Sequence, residues 1–163
     1  MRVRIELPDE AATRRLGVQL AQALPRGGQA PLLVTLAGPL GAGKTCLVRA
    51  MLRGLGYAGA VRSPTYTLLE PYDFDDFSVV HLDLYRLSDP GELEYLGLDD
   101  HFAAGHVLLV EWPERAGDAL PAADLAVKLD YAGPGRTGEL FPGSPAGQAL
   151  LQRLGADSDS KTR

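Results

Sequence analysis

The sequence predicts a single α/β domain in which a mostly parallel central sheet is flanked by helices. Its 163 residues suit one compact domain, because domains commonly have about 100 to 200 residues. Short apolar runs alternate with segments of helical periodicity, as they do where helices connect parallel strands. A glycine-rich loop also lies between a buried strand and a helix. We predict a folded domain over residues 1–154 and a flexible tail over residues 155–163.

The first third of the chain alternates between strands and helices. Met1 to Leu7 alternates apolar and charged residues, as a half-buried strand does. Asp9 is placed to cap a helix whose apolar residues recur every three or four positions. Leu32 to Ala37 is a short apolar run typical of a strand buried on both faces. The apolar positions from Leu47 to Leu55 predict the helix that follows the loop.

The rest of the chain contains more predicted strands and two helices. An acidic turn separates the first two of these strands, and glycines separate the last two. The predicted strands are Tyr66 to Glu70, Val79 to Tyr85, Val107 to Val110, Leu125 to Tyr131 and Thr137 to Phe141. The predicted helices are Pro90 to Leu96 and Pro145 to Leu154.

Composition excludes several classes of protein. One cysteine excludes an internal disulfide and a multi-cysteine metal site, and no apolar run approaches the ~20 residues of a membrane span. We therefore expect a cytoplasmic protein without a membrane contact. The net charge of -5 argues against direct binding to a nucleic-acid backbone. This charge is uneven, because residues 1–62 sum to +6 and residues 63–100 to -9, so the acidic segment is a candidate partner surface.

The segment from Gly38 to Thr45 satisfies the phosphate-loop pattern G-x-x-x-x-G-K-[ST] in its expected place between strand and helix. Glycines allow successive backbone N–H groups to face phosphates, and the helix N-terminus adds partial positive charge. Lys44 is predicted to reach the outer phosphates, and the Thr45 hydroxyl to bind Mg²⁺. The predicted fold is therefore that of a P-loop NTPase.

The nucleotide is predicted to be ATP. Guanine-binding members of this class usually carry an N-K-x-D element, and this chain contains no asparagine. The nearest approach has valine in the first position, before Lys128.

Besides the Thr45 hydroxyl, a carboxylate is needed beside the loop to hold Mg²⁺, and two residues compete for this role. Glu111 follows a buried apolar strand directly, at the expected strand tip. Asp83 lies in an alternating strand that places it on the same face as His81 and Tyr85. We expect His81 itself to be a packed, hydrogen-bonded side chain rather than a catalytic base.

Three further positions are candidates for contacts with the nucleotide. Thr65, in Ser63-Pro64-Thr65, lies where a switch loop would sense the terminal phosphate. Trp112 is either an aromatic contact of the nucleotide or a packing residue. Arg136 is a loop cation that could reach a phosphate.

These motifs together resemble one family. In order and spacing, the chain resembles the bacterial TsaE (YjeE) ATPases of tRNA threonylcarbamoyladenosine synthesis. The segments that carry this resemblance are GPLGAGKT, SPTYTLLEPY, HLDLYRLSDPGELEYLGLDD, LLVEWPER and DYAGPGR. The likeness extends from Leu7 to about Arg136. It implies a compact P-loop fold with weak ATP hydrolysis by the protein alone. It also implies action on a TsaB–TsaD heterodimer that modifies adenosine 37 of tRNAs reading ANN codons.

The resemblance also implies roles for single residues. Thr45 and Glu111 would hold the magnesium, Asp83 would assist the metal or the attacking water, and Thr65 would be the switch hydroxyl. The phosphates would be bound by Leu40, Gly41, Ala42, Gly43, Lys44 and Thr45. The remaining nucleotide contacts would come from Glu10, Glu114, Gly135 and Arg136. Cys46 departs from the family pattern, which commonly has a second threonine there.

Two other functions remain open from the residues. A small-molecule kinase would need an acceptor pocket and usually an arginine-rich lid, whereas Arg115 is the only arginine between residues 86 and 136. A nucleotide-gated binding module would use hydrolysis only to time its association with a partner.

Overall fold

The computed structural model describes residues 2–25, 30–62, 64 and 67–160, with side chains described as far as residue 155. The strands are β1 (Val3–Leu7), β2 (Leu32–Ala37), β3 (Leu69–Asp73), β4 (Ser78–Asp83), β5 (Val107–Glu111), β6 (Leu125–Ala132) and β7 (Gly135–Pro142). The α-helices are α1 (Glu10–Ala23), α2 (Lys44–Gly54), α3 (Leu98–Ala103) and α4 (Pro145–Ser160). Short 3₁₀ helices cover Pro90–Leu96 and Pro113–Ala119.

The seven strands form one mixed sheet in the order β1-β7-β6-β2-β5-β4-β3. The pairs β6–β2, β2–β5 and β5–β4 are parallel, and the pairs β1–β7, β7–β6 and β4–β3 are antiparallel. The prediction of an α/β domain is confirmed, but the prediction of a mostly parallel sheet is wrong.

Short connections explain the mixed sheet. Residues 74–77 join β3 to β4, and residues 133–134 join β6 to β7. Such connections are too short for the crossover that parallel neighbours require, so each pair forms a hairpin. β1 then pairs with the outer strand of the second hairpin. The hairpins extend both sides of a parallel centre.

The two faces of the sheet bury separate apolar clusters. On one face, alternate residues of the central strands pack against α1, α2 and α4. On the other face, the intervening residues pack against α3 and the 3₁₀ helices. Because β2, β4 and β5 are parallel, their carboxyl ends meet at one edge, next to the N-terminus of α2.

Most predicted elements are present, with shifted ends. The bounds of β2 are those predicted, and Asp9 caps α1 by accepting a hydrogen bond from the Ala12 N–H at 2.8 Å. The strand predicted at Tyr66 to Glu70 lies instead at Leu69–Asp73, and Tyr66 is outside the described residues. The last helix continues to Ser160 rather than ending at Leu154. Two elements, α3 and the 3₁₀ helix at 113–119, were not predicted.

The phosphate-loop helix α2 is held against α1 by a close approach at Gly17. A Cβ atom at this position would lie 2.5 Å from the Ala50 Cβ and 2.9 Å from the Leu47 carbonyl oxygen. We expect Gly17→Ala to lower the free energy of unfolding by about 1–3 kcal/mol, because overpacking outweighs the better helix propensity of alanine. Urea denaturation measures this change.

Gly155→Ala is the matched control for that substitution. Gly155 lies in α4, and a Cβ atom there would meet nothing within 4 Å. Its replacement should be neutral or slightly stabilising. Equal losses of stability in the two variants would contradict the packing argument.

The described helices include none long and apolar enough to cross a membrane.

Candidate functional site

The glycine-rich loop between β2 and α2 adopts a backbone that its glycines permit. Gly38, Gly41 and Gly43 have φ values of +145°, +77° and +106°, in a region that other residues rarely occupy. A Cβ atom on Gly38 would lie 2.3 Å from the carbonyl oxygen of Leu129. The loop can therefore lie against β6 only with glycine at its start.

Two cavities open beside this loop and share Gly41, Gly43 and Cys46. We call them the α1 cavity, of about 270 Å³, and the β5 cavity, of about 260 Å³. The α1 cavity is lined by Leu7, Asp9, Glu10, Thr13, Gly41, Ala42, Gly43, Cys46, Pro134, Gly135 and Arg136. The β5 cavity is lined by Leu40, Gly41, Gly43, Lys44, Thr45, Cys46, Asp83, Tyr85, Glu111 and Trp112.

Lys44 is buried at the N-terminus of α2, with 5% of its surface exposed. Its Nζ donates hydrogen bonds to the carbonyl oxygen of Gly38 and, at 3.0 Å, to that of Pro39. Burial lowers the pKa of the Lys44 ammonium, and the nearby carboxylates of Glu111, Glu114 and Asp83 oppose this shift. The ammonium is thus a partly desolvated cation at the wall of the β5 cavity.

Thr45 and Glu111 meet at the carboxyl end of β5. The Thr45 hydroxyl lies 2.9 Å from Glu111 Oε1 and 3.2 Å from Oε2. Both are oxygen ligands of the kind that Mg²⁺ prefers. Within the described ranges, no group of three or more His, Cys, Asp or Glu side chains could hold a metal ion. This donor set fits Mg²⁺, which is commonly bound by one or two protein oxygens together with phosphates and water.

Asp83, the competing carboxylate, lies on the neighbouring strand opposite Glu111. Its Oδ1 accepts a hydrogen bond from the Tyr85 N–H at 3.0 Å. Burial raises the pKa of the Asp83 carboxyl, and the charge of Glu111 adds to the increase. Both candidate carboxylates therefore line the β5 cavity, but Glu111 alone of the two contacts Thr45 among the described residues.

Trp112 follows Glu111 in a left-handed conformation, with φ of +58°. A large residue adopts this conformation at a cost of about 1–2 kcal/mol. The turn places the indole ring 4.0 Å from Lys44 Nζ and 4.9 Å from the Tyr85 ring. Trp112 is thus an aromatic wall of the β5 cavity.

The hairpin of β6 and β7 contacts the backbone of the loop. The Tyr131 hydroxyl donates a hydrogen bond to the carbonyl oxygen of Leu40, and Arg136 Nη2 donates one to that of Gly41 at 3.3 Å. The Arg136 guanidinium also lies 4.3 Å from the centre of the Tyr131 ring. Arg136 lies near the start of β7 rather than in the connecting loop, and its predicted contact with a phosphate stays a prediction. Sequence reasoning missed Tyr131, although it lies in the DYAGPGR segment.

The remaining predicted site residues are Glu10, Glu114 and Thr65. Glu10 lines the α1 cavity and forms an exposed ion pair with Arg14 at 3.0 Å. Glu114 is exposed and acts on Lys44 through its charge. Thr65, the predicted switch hydroxyl, lies outside the described residues.

The contact from Tyr131 to the loop gives a testable prediction. The sequence predicts ATP as the ligand of this loop. On that prediction we expect Tyr131→Phe to weaken ATP binding by about two- to tenfold, because a hydrogen bond that orders the loop is worth about 0.5–1.5 kcal/mol. Isothermal titration calorimetry measures the affinity. Tyr95→Phe is the control, since Tyr95 is 90% exposed and does not line either cavity. Equal affinities of Tyr131→Phe and the unsubstituted protein would contradict an ordering role.

Comparisons with known proteins point to one family. The family model "Threonylcarbamoyl adenosine biosynthesis protein TsaE" matches residues 7–137. The tRNA threonylcarbamoyladenosine biosynthesis protein TsaE of Haemophilus influenzae is 42% identical over 146 residues, which are 89% of this chain and 92% of that protein. The Synechocystis protein of the same name is 46% identical over 114 residues, which are 67% of this chain and 69% of that protein. The crystal structure of Bacillus subtilis YdiB matches 97% of each chain with a TM-score of 0.81 and 25% identity.

Proposed function

Because this chain belongs to the TsaE family of tRNA threonylcarbamoyladenosine biosynthesis proteins, we propose that it is a Mg²⁺-dependent P-loop ATPase that acts on a TsaB–TsaD complex. That complex would form the threonylcarbamoyl group on adenosine 37 of tRNAs that read ANN codons. The observation that carries the ATPase proposal is the contact between Thr45 and Glu111 beside the buried Lys44. It assembles the parts that phosphoryl transfer requires: a cation, a metal-binding hydroxyl and a strand-end carboxylate.

In this proposal the phosphates lie along the loop between the two cavities. Backbone N–H groups of the loop and the N-terminus of α2 would face their negative charge. Lys44 exchanges its hydrogen bonds to the carbonyl oxygens of Gly38 and Pro39 for phosphate oxygens. Since Lys44 is partly desolvated, its charge acts more strongly on a transition state than it would in water.

The metal-binding residues in this proposal are Thr45 and Glu111. A bound Mg²⁺ would neutralise charge on the outer phosphates and so favour departure of the terminal phosphoryl group. Glu111 is 2% exposed and lines the β5 cavity, so its carboxylate is in a largely water-excluded site beside Thr45. Asp83 lines the same cavity, and its proposed role is to orient a water molecule or to support the metal.

The nucleoside is proposed to occupy the α1 cavity. This cavity continues from the loop towards Glu10, Pro134, Gly135 and Arg136. The absence of asparagine from the sequence leaves no N-K-x-D element for guanine, which favours adenine.

Partner dependence is the second half of the proposal. The acidic segment over residues 63–100 is poorly suited to a phosphate backbone, so contact with tRNA is proposed to pass through the TsaB–TsaD pair. Part of this segment lines a separate cavity of about 550 Å³, to which it contributes Glu94, Asp99 and Asp100. The residues that line this cavity do not include any of the phosphate loop.

A comparison of ATP turnover under three conditions tests the proposed function. We expect slow Mg²⁺-dependent turnover by the protein alone and faster turnover with the TsaB–TsaD pair. The third condition adds an array of small phosphate acceptors. Equal rates with and without the pair would contradict partner activation. Phosphate transfer to an acceptor would instead establish a small-molecule kinase.

A further inference from the structure

His81 forms a buried contact with Glu111 for which the proposed mechanism has no role. Its Nε2 lies 2.6 Å from Glu111 Oε2, and the two side chains are 1% and 2% exposed. The other ring nitrogen, Nδ1, is buried and has no hydrogen-bond partner among the described residues. Within that part of the chain, the contact with Glu111 is therefore the ring's one hydrogen bond.

We propose that His81 is a positioning residue that holds the Glu111 carboxylate in the orientation required for magnesium binding. This inference rests on the proposed function. His81 does not line the β5 cavity, so it contacts Glu111 from the protein side and is out of reach of a substrate. Its effect on the reaction must pass through Glu111.

The hydrogen-bond pattern shows how His81 orients the carboxylate. A carboxylate only accepts hydrogen bonds, so the bond to Glu111 places a hydrogen on His81 Nε2. Thr45 lies closer to Oε1, at 2.9 Å, than to Oε2, at 3.2 Å. Because a hydroxyl has one hydrogen, it cannot restrain both oxygens at once. His81 holds Oε2, which leaves Oε1 directed towards Thr45.

The backbone of His81 is well placed for this role. β4 is bordered on both sides, by β3 at Glu70 and by β5 at Leu109. A strand paired on both sides holds its backbone rigidly, and burial restricts the ring. Glu111 is also paired on both sides, with Leu36 of β2 and Asp83 of β4, but it is the last residue of β5 before the chain turns at Trp112. The fixed ring thus restrains a carboxylate at a strand end.

His81→Leu and His81→Gln test this proposal together. Leucine removes the donor, whereas glutamine carries an amide N–H at a reach similar to that of Nε2. We expect His81→Leu to raise the Mg²⁺ concentration for half-maximal ATP turnover by about 10- to 100-fold, the usual effect of losing a group that orients a metal ligand. His81→Gln should recover most of this loss. Should His81→Leu fail to fold, His81→Asn replaces it, because the shorter amide cannot reach Glu111.

A binding measurement separates positioning from general damage. Trp112 is the only tryptophan and lies 4.0 Å from Lys44 Nζ, so its fluorescence can report a non-hydrolysable ATP analogue. For His81→Leu, we expect the affinity without Mg²⁺ to be unchanged and the gain on adding Mg²⁺ to be lost. Val80→Ala is the control, because the neighbouring Val80 packs on the other face of the sheet. It should lower stability without changing the Mg²⁺ dependence.

Three results would overturn the inference. The first is an unchanged Mg²⁺ dependence in His81→Leu. The second is a loss of nucleotide affinity that is equal with and without Mg²⁺. The third is a shift that His81→Gln does not reduce. Failure of the unsubstituted protein to bind or hydrolyse Mg-ATP would instead reject the proposed function.

Discussion

Lys44→Ala is expected to lower Mg²⁺-dependent ATP turnover by about 10²- to 10³-fold, the effect of removing one preorganised group that stabilises transition-state charge. Lys44 is 5% exposed and already oriented by the carbonyl oxygens of Gly38 and Pro39. Its ammonium is thus already held at the loop, where it exchanges these two carbonyl oxygens for phosphate oxygens. Steady-state release of phosphate, with the TsaB–TsaD pair present, measures the rate.

Lys128→Ala is the matched control for this prediction. Lys128 lies in β6, is exposed and lines neither cavity beside the loop. Its loss changes the net charge as Lys44→Ala does but removes no group from the site. If both variants kept full turnover, the loop would not be a catalytic phosphate site.

Glu111→Gln is expected to lower the same turnover by about 10²-fold or more, because charge stabilisation by a bound metal is worth several kcal/mol. The substitution keeps the size of the side chain and removes its charge. Since the Thr45 hydroxyl and His81 Nε2 both contact this carboxylate, its loss directly affects the group proposed to bind the metal. The rate as a function of Mg²⁺ concentration measures the effect.

Asp83→Asn and Glu139→Gln complete that experiment. Asp83 is the competing carboxylate of the β5 cavity, and Glu139 forms a surface ion pair with Arg2 at 3.3 Å. Glu139→Gln should leave turnover unchanged. Unchanged turnover in Glu111→Gln together with a loss in Asp83→Asn would assign the metal to Asp83 and contradict the role given to Glu111.

Local sequence signals predicted the elements around the loop well. β2 has its predicted bounds because a short apolar run between Pro31 and Gly38 allows few alternatives. The sheet type was predicted less well. The strands of both hairpins were predicted. The position that each hairpin takes in the sheet, however, depends on pairing between residues far apart in the chain. Helices 98–103 and 113–119 are short and held by packing on the sheet, so they carry weak periodicity.

By itself, the sequence determined the phosphate-loop pattern, the family resemblance, and Glu111 and Asp83 as the competing carboxylates. These depend on residue type and spacing along the chain. The tertiary structure decided that Glu111 contacts Thr45, that His81 contacts Glu111 from behind, and that Tyr131 and Arg136 bind the loop. His81 and Glu111 are 30 positions apart, and Tyr131 and Leu40 are 91 apart. Such contacts exist only once parallel pairing and the β6–β7 hairpin bring distant strand ends together, because no local pattern encodes which ends meet.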